Sequence, residues 1–133
     1  MALQLTIVTP ERRVLETEAD AIELPGALGY LGILPGHAPL ITLLGTGVLT
    51  VRRGGGSTAL AVSAGLAEIS ADRVSVLADS AEGVSEIDAA AADRERAKAE
   101  EEMRTAGADT LDGIRARLEL ANARIAVARR TQT

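Results

Sequence analysis

The sequence predicts a β plus α protein, an N-terminal antiparallel β-sandwich followed by a C-terminal antiparallel two-helix hairpin. Three observations carry this. Up to about residue 85, apolar residues recur with period 2 over short stretches separated by Gly, Pro and Asp, as half-buried strands do. From residue 86 the chain turns Ala-rich and charged, with apolar residues at alternating spacings of 3 and 4, the seam of packed helices. No helical stretch separates the strands, which argues against a parallel α/β sheet. We therefore divide the 133 residues into a sandwich domain, 1–85, and a helical hairpin, 86–133.

Leu3, Leu5 and Ile7 alternate with Gln4 and Thr6 and read as the first strand. Residues 14–24 alternate again and suggest two strands around Glu18. Stretches 29–34, 40–44 and 48–53 follow, threaded by Pro25, Pro35 and Pro39, which exclude helix because Pro lacks the backbone donor and fixes φ. Gly54, Gly55 and Gly56 read as a hairpin turn into 58–63. Turn signals at Ala64-Gly65 and Ala71-Asp72 close strands 66–70 and 73–78. Short strands at roughly 8–12-residue spacing indicate a sandwich or barrel.

Ser85 reads as the N-cap of a helix starting at Glu86, with Asp88 in its first turn. That helix is expected to run to about Ala106, with Gly107 as its C′ residue. Asp109 or Thr110 then caps a second helix whose seam is Leu111, Ile114, Leu118, Ala121, Ile125 and Ala128. The first helix offers Ala89, Ala92, Ala99, Met103 and Ala106, interrupted by Arg96. An Ala methyl contributes about 0.8 kcal/mol on burial against about 1.5–3 kcal/mol for Leu or Ile. The helical pair is therefore expected to pack tightly but weakly, so that it can open while the sandwich stays folded; a static Ala-coil is the competing reading at this level.

Composition excludes several function classes. With no cysteine there is no disulfide, thiolate nucleophile or Cys-ligated metal. The N-terminus lacks a signal-peptide pattern, and no run of about 18 apolar residues could span a membrane. Net charge is −5, which argues against nucleic-acid binding. The charge is unevenly spread: residues 1–85 carry −4, 86–106 carry −3, 107–113 carry −2, and 114–133 carry +4. Helix-dipole compensation accounts for Arg129 and Arg130. It does not account for Arg115 and Arg117 near the helix start, which leaves docking on an acidic partner open beside it.

His37 is the chain's one histidine. A triad would need a nearby hydroxyl nucleophile and an orienting acid, and no nucleophile-elbow sequence is present, so His37 reads as structural or interfacial. The acids show no metal-ligand spacing, and no metal site is expected. The string 26–32, GALGYLG, is not a dinucleotide fingerprint, and 52–57, RRGGGS, lacks the Lys of a phosphate-binding loop. No autonomous active site is expected.

The stretch GILPGHAPL, residues 32–40, together with VSAGLAEIS (62–70), VSVLADSAEG (74–83) and EID (86–88), resembles the epsilon subunit of F-type ATP synthases. The resemblance covers essentially the full chain. It implies a non-catalytic central-stalk rotor subunit that couples the gamma shaft to the membrane rotor ring. Its mobile helical pair would restrain ATP hydrolysis. The implied partners are the gamma subunit, the rotor c-ring, and the catalytic beta and alpha subunits through the C-terminal helices. The implied location is peripheral, on the cytoplasmic face of a bacterial cell membrane, reached only through the complex. By position, Gly36, His37 and Ala38 would face gamma and Tyr30 the rotor ring, while Arg115, Arg117 and Arg124 would dock on an acidic loop of the catalytic head. Some members bind ATP through [IL]-D-x-x-R-A; here Ile87 and Asp88 match but Ala91 replaces the arginine, with Arg94 one turn on. Weak or absent ATP binding is expected, and no other cofactor.

Two rival readings remain at this level: a free-standing ligand-binding sandwich with a dimerising helical tail, and a small hydrolase using His37. One tyrosine and no other aromatic make a poor sugar-binding face.

Overall fold

In the computed structural model, residues 2–130 are described. Ten strands come first: β1 Leu3–Val8, β2 Arg13–Ala19, β3 Ala21–Gly26, β4 Gly29–Ile33, β5 Leu40–Leu44, β6 Gly47–Arg53, β7 Gly56–Val62, β8 Gly65–Ile69, β9 Arg73–Ala78 and β10 Ala81–Gly83. A 3₁₀ turn, Val84–Glu86, leads to helices α1 Ala89–Met103 and α2 Ala108–Arg130.

Hydrogen bonding runs continuously in the order β10-β7-β6-β3-β5-β8-β9-β1-β2, with β4 on β3. Between β3 and β5 the link is the single pair Gly26↔Leu44, and there the sheet folds over into two layers. The corner is tight: Gly45 N–H donates to the Pro25 carbonyl at 2.7 Å and Ala27 N–H to the Leu43 carbonyl at 2.9 Å. Between the layers lies an all-aliphatic core that includes Leu3, Leu5, Ile7, Ile22, Leu24, Leu49, Val74 and Val76.

The predicted strands all form, with three differences. The break after β2 falls at Asp20, not Glu18, because the Asp20 carboxylate accepts the Gly54 N–H at 2.8 Å and so ties that corner to the hairpin tip. The hairpin turn is Gly54-Gly55 alone, both at positive φ (58° and 82°) as a type I′ turn requires; Gly56 already pairs with Arg53. The pairing of β1 with β9 is parallel, an exception to the antiparallel expectation. Alternation reports which face is buried, not which distant strand lies alongside.

The helical start also differs. Glu86 folds back so that its carboxylate accepts the Gly83 N–H at 3.2 Å, Ile87 stays extended, and Asp88 caps α1 by accepting the Ala91 N–H at 3.0 Å. Extended Ile87 can then pack against the α2–sandwich contact, which a helix begun at Glu86 would prevent. Helix α1 ends at Met103 rather than Ala106. Gly107 opens α2 instead of closing α1: its carbonyl accepts from the Thr110 and Leu111 N–H groups at 3.1 Å each, and Asp109 lies within the helix's first turn.

Of the α2 seam, Ala121, Ile125 and Ala128 are buried, and so are Ala123 and Val127, which the seam omits. These two lie on Val48 of β6 and Ala61 of β7. Helix α2 is thus the element that rests on the sandwich, and α1 packs against α2.

A Cβ placed on Gly65 would lie 1.9 Å from the Leu77 carbonyl oxygen and 2.9 Å from Ala78 Cα, contacts that only backbone movement relieves. Gly65→Ala is expected to destabilise the fold by about 3 kcal/mol, the upper end of ordinary overpacking, read as a fall in the urea midpoint. An unchanged midpoint would contradict this packing.

Candidate functional site

Most of the predicted site residues fall in three places. Gly36, His37 and Ala38 form the turn before β5. Gly36 has φ 91°, and its N–H donates to the Ala71 carbonyl at 2.7 Å, tying this turn to the β8–β9 turn. The His37 ring sits 2.6 Å, Nδ1 to O, from the Ala38 carbonyl, so Nδ1 carries the proton and donates. Its other nitrogen has no hydrogen-bond partner among the described residues, and no hydroxyl nucleophile is bonded to it.

Tyr30 lies on β4, 56% exposed. Its hydroxyl accepts the Val48 N–H at 3.0 Å, and a Cβ on Gly47 would come within 2.6 Å of that oxygen. The ring is therefore pinned against β6, and the residue projecting most freely at this end is Leu28, fully exposed at the β3–β4 turn. The apolar tip of a tight turn was the available signal for Leu28.

The third place is a cleft of about 380 Å³ where β10, the start of α1 and the middle of α2 meet. It brings Asp88, Arg117 and Arg124 together and adds Glu82, Glu86, Ala91 and Glu95. Arg117 spans to α1, with Nε donating to Glu95 at 2.8 Å and an Nη to Glu102 at 2.5 Å. Arg124 Nε donates to Glu82 of β10 at 2.7 Å. Arg115 stands outside, exposed, 3.9 Å from Asp112. Arg94 is exposed and does not line the cleft; the position one turn beyond Ala91 that does line it is Glu95. Ile87 belongs to the apolar contact under α2. Four carboxylates against two guanidiniums leave the cleft net negative.

The hydrogen bond from Arg117 holds the Glu95 carboxyl below its ordinary value; partial burial opposes this, and the charges of Arg117, Lys98 and Arg124 assist it. Among the described residues, no cluster of three or more His, Cys, Asp or Glu could hold a metal, and no helix is long and apolar enough to cross a membrane.

A further surface escaped the sequence reading. Cross-strand partners share one face of a sheet, and Leu43 pairs with Leu66, Leu66 with Leu77, and Leu77 with Val8. An apolar row therefore crosses β5, β8, β9 and β1 on the outer side of the second layer. Leu43 is 64% and Leu77 53% exposed. Ile41, 64% exposed, stands beside the row on the same face of β5, and leads to the His37 turn. The signal was present in 40–44, LITLL, which is apolar in both phases of the strand.

Comparison with known proteins decides the family. Residues 2–84 match the model of the ATP synthase delta/epsilon chain β-sandwich domain. The chain belongs to that family. It is 42% identical over 128 residues to the ATP synthase epsilon chain of Solibacter usitatus, covering 95% of both chains. To that of Desulforamulus reducens it is 44% identical over 117 residues, covering 88% of each. Among solved structures, a chain of the Euglena gracilis mitochondrial ATP synthase (OSCP/F1/c-ring) shares the fold with a TM-score of 0.81 at 22% identity, over 92% of this chain and 78% of that one.

Because the Glu95 carboxyl is lowered by Arg117, the Glu95 part of the tie between α1 and α2 is present above the ordinary carboxyl range of about 4.3 and is lost as pH falls through the lowered native value. Titration of the Glu95 carboxyl followed by carbon NMR should give a midpoint below the ordinary glutamate value of about 4.3, returning to the ordinary range in Arg117→Ala. An ordinary midpoint in the unaltered chain would contradict the tie.

Proposed function

We propose that this chain is a non-catalytic rotor subunit of an F-type ATP synthase, peripheral to a bacterial membrane on its cytoplasmic face, which couples the gamma shaft to the rotor ring and carries a helical pair that restrains ATP hydrolysis. The observation that carries the reading is the asymmetry of the sandwich. One outer face is covered by α2 through Val48 and Ala61. The other presents Leu43, Leu66, Leu77 and Val8 to solvent. An apolar row of that kind on an otherwise polar surface is the mark of an interaction site, and we assign it to gamma, with the turn of Gly36, His37 and Ala38 at its margin. The β3–β4 end, with Leu28 and Tyr30, is assigned to the rotor ring. Relatives named ATP synthase epsilon chain support the rotor reading, and a chain of like fold comes from the central stalk and c-ring assembly of the Tetrahymena thermophila enzyme; the allocation of faces rests on the exposure of these residues.

The helical pair is divided from the sandwich at about Ser85, and we assign Arg115, Arg117 and Arg124 to the catalytic head. The cleft between α1, α2 and β10 is not a site for ATP in this reading. Its net negative charge repels a polyphosphate, and Ala91 and Glu95 stand where a cation would meet it. Titration calorimetry with ATP should show no binding in the micromolar range; a micromolar dissociation constant would contradict this.

The test of the function is ATP hydrolysis by the catalytic head with gamma, measured with the full chain, with a chain cut after Ser85, and with Leu77→Glu. The full chain should bind and slow hydrolysis, and the cut chain should bind without slowing it. Burying a leucine contributes about 1.5–3 kcal/mol, so Leu77→Glu should weaken binding at least about tenfold. Its thermal midpoint should hardly change, because an exposed site has little effect on stability. Undiminished binding by Leu77→Glu would move gamma off this face, and no binding by any form would end the rotor reading.

A further inference from the structure

Two of the three arginines assigned to the catalytic head, Arg117 and Arg124, are already engaged inside the folded chain. Arg117 and Arg124 lie two helical turns apart on α2. Their partners are distant in sequence: Glu95 and Glu102 lie 22 and 15 residues from Arg117, and Glu82 lies 42 from Arg124. The first pair of bonds closes the hairpin, and the third fastens α2 to the sandwich edge. Neither tie lies in open solvent, since the side chains of Arg124 and Glu82 are 31% and 26% exposed and those of Arg117, Glu95 and Glu102 are 40%, 35% and 39% exposed.

The apolar part of the closure is modest. The buried residues of α1 are Ala92 and Ala99, those of α2 are Ala121, Ala123, Ile125, Val127 and Ala128, and α2 meets the sandwich through Ala123 and Val127 on Val48 and Ala61, with Ile87 beside them. Against an interface made mainly of alanines, three charge-assisted hydrogen bonds contribute to which state the tail adopts. A guanidinium can saturate one set of carboxylates at a time, so an acidic docking partner must displace the internal ones.

We propose that Glu82, Glu95 and Glu102 act as internal competitors for the docking arginines, so that this chain latches its own helical pair closed without a ligand and sets how readily the pair engages an acidic partner. The inference rests on the rotor reading for its consequence in the complex but not for the latch itself.

Two measurements separate these. Amide hydrogen exchange across α2 in the free full-length chain reads the latch. Glu82→Gln removes one partly exposed ion pair, worth about a two- to fivefold rise in opening, and Glu95→Gln with Glu102→Gln should raise exchange in both helices. Hydrolysis by the catalytic head with gamma reads the consequence, and the same variants should inhibit more strongly than the unaltered chain. A charge exchange, Glu82→Arg with Arg124→Glu, distinguishes the two duties of Arg124. It should restore slow exchange yet inhibit less, because the docking cation is gone. Unchanged exchange in the Glu82 and Glu95/Glu102 variants overturns the latch. Faster exchange with unchanged inhibition overturns the competition while leaving the latch. A full chain that never inhibits, though it binds, removes the rotor consequence, and the proposal then fails as a regulatory device.

Discussion

Closure of an aliphatic sandwich is the constraint on which the rest of this molecule depends. With no Phe and no Trp, the core is filled by Leu, Ile, Val and Ala from both layers, and interiors so packed tolerate little change in volume. That is why the close approaches at Gly26, Gly45 and Gly65 matter. Each lets one backbone come near another where a side chain would hold the layers or strands apart. Once the two inner faces are sealed, two outer faces remain. Small residues on one, Ala59 and Ala61 with Val48, admit a helix. Leucines on the other, Leu43 and Leu77, stay exposed.

This division explains why the helical pair can be weakly held without endangering the sandwich. The main core runs from β1 to β10 and includes no helical residue. The contact under α2 is a separate, smaller cluster. The hairpin is held mainly by alanines, Ile125 and Val127 and by partly exposed ion pairs, a smaller set of contacts than those of the sheet, and sub-global opening draws on the parts of a fold with fewer buried contacts.

Much of this architecture was legible in the sequence, for physical reasons. Alternation in 3–7 and 73–78 reports burial directly, and positive φ at a two-residue hairpin all but requires the glycines at 54 and 55. The parallel pairing of β1 with β9 was not legible, since no local pattern records it. The Asp88 cap was missed in favour of Ser85 because the backward fold of Glu86 onto Gly83 depends on where Ile87 must be buried. At the site, charge asymmetry singled out Arg115 and Arg117 and the family resemblance added Arg124, but neither pointed to the carboxylate partners of Arg117 and Arg124, which only the tertiary fold brings near. The apolar row was hidden because Leu43 and Leu77 occupy strand positions that alternation assigns to the polar phase.

The central claim is that the two outer faces serve different partners, one the chain's own tail and the other the stalk. The chain has no cysteine, so a single introduced thiol reports one face. Maleimide labelling of Leu77→Cys and of Ala61→Cys, in the free chain and in the assembled head with gamma, tests it directly. The account predicts that the thiol at position 77 reacts quickly in the free chain and is shielded in the complex. The thiol at position 61 should be shielded when free and no better shielded when bound. A thiol at position 77 that stays fully reactive in the complex would contradict it.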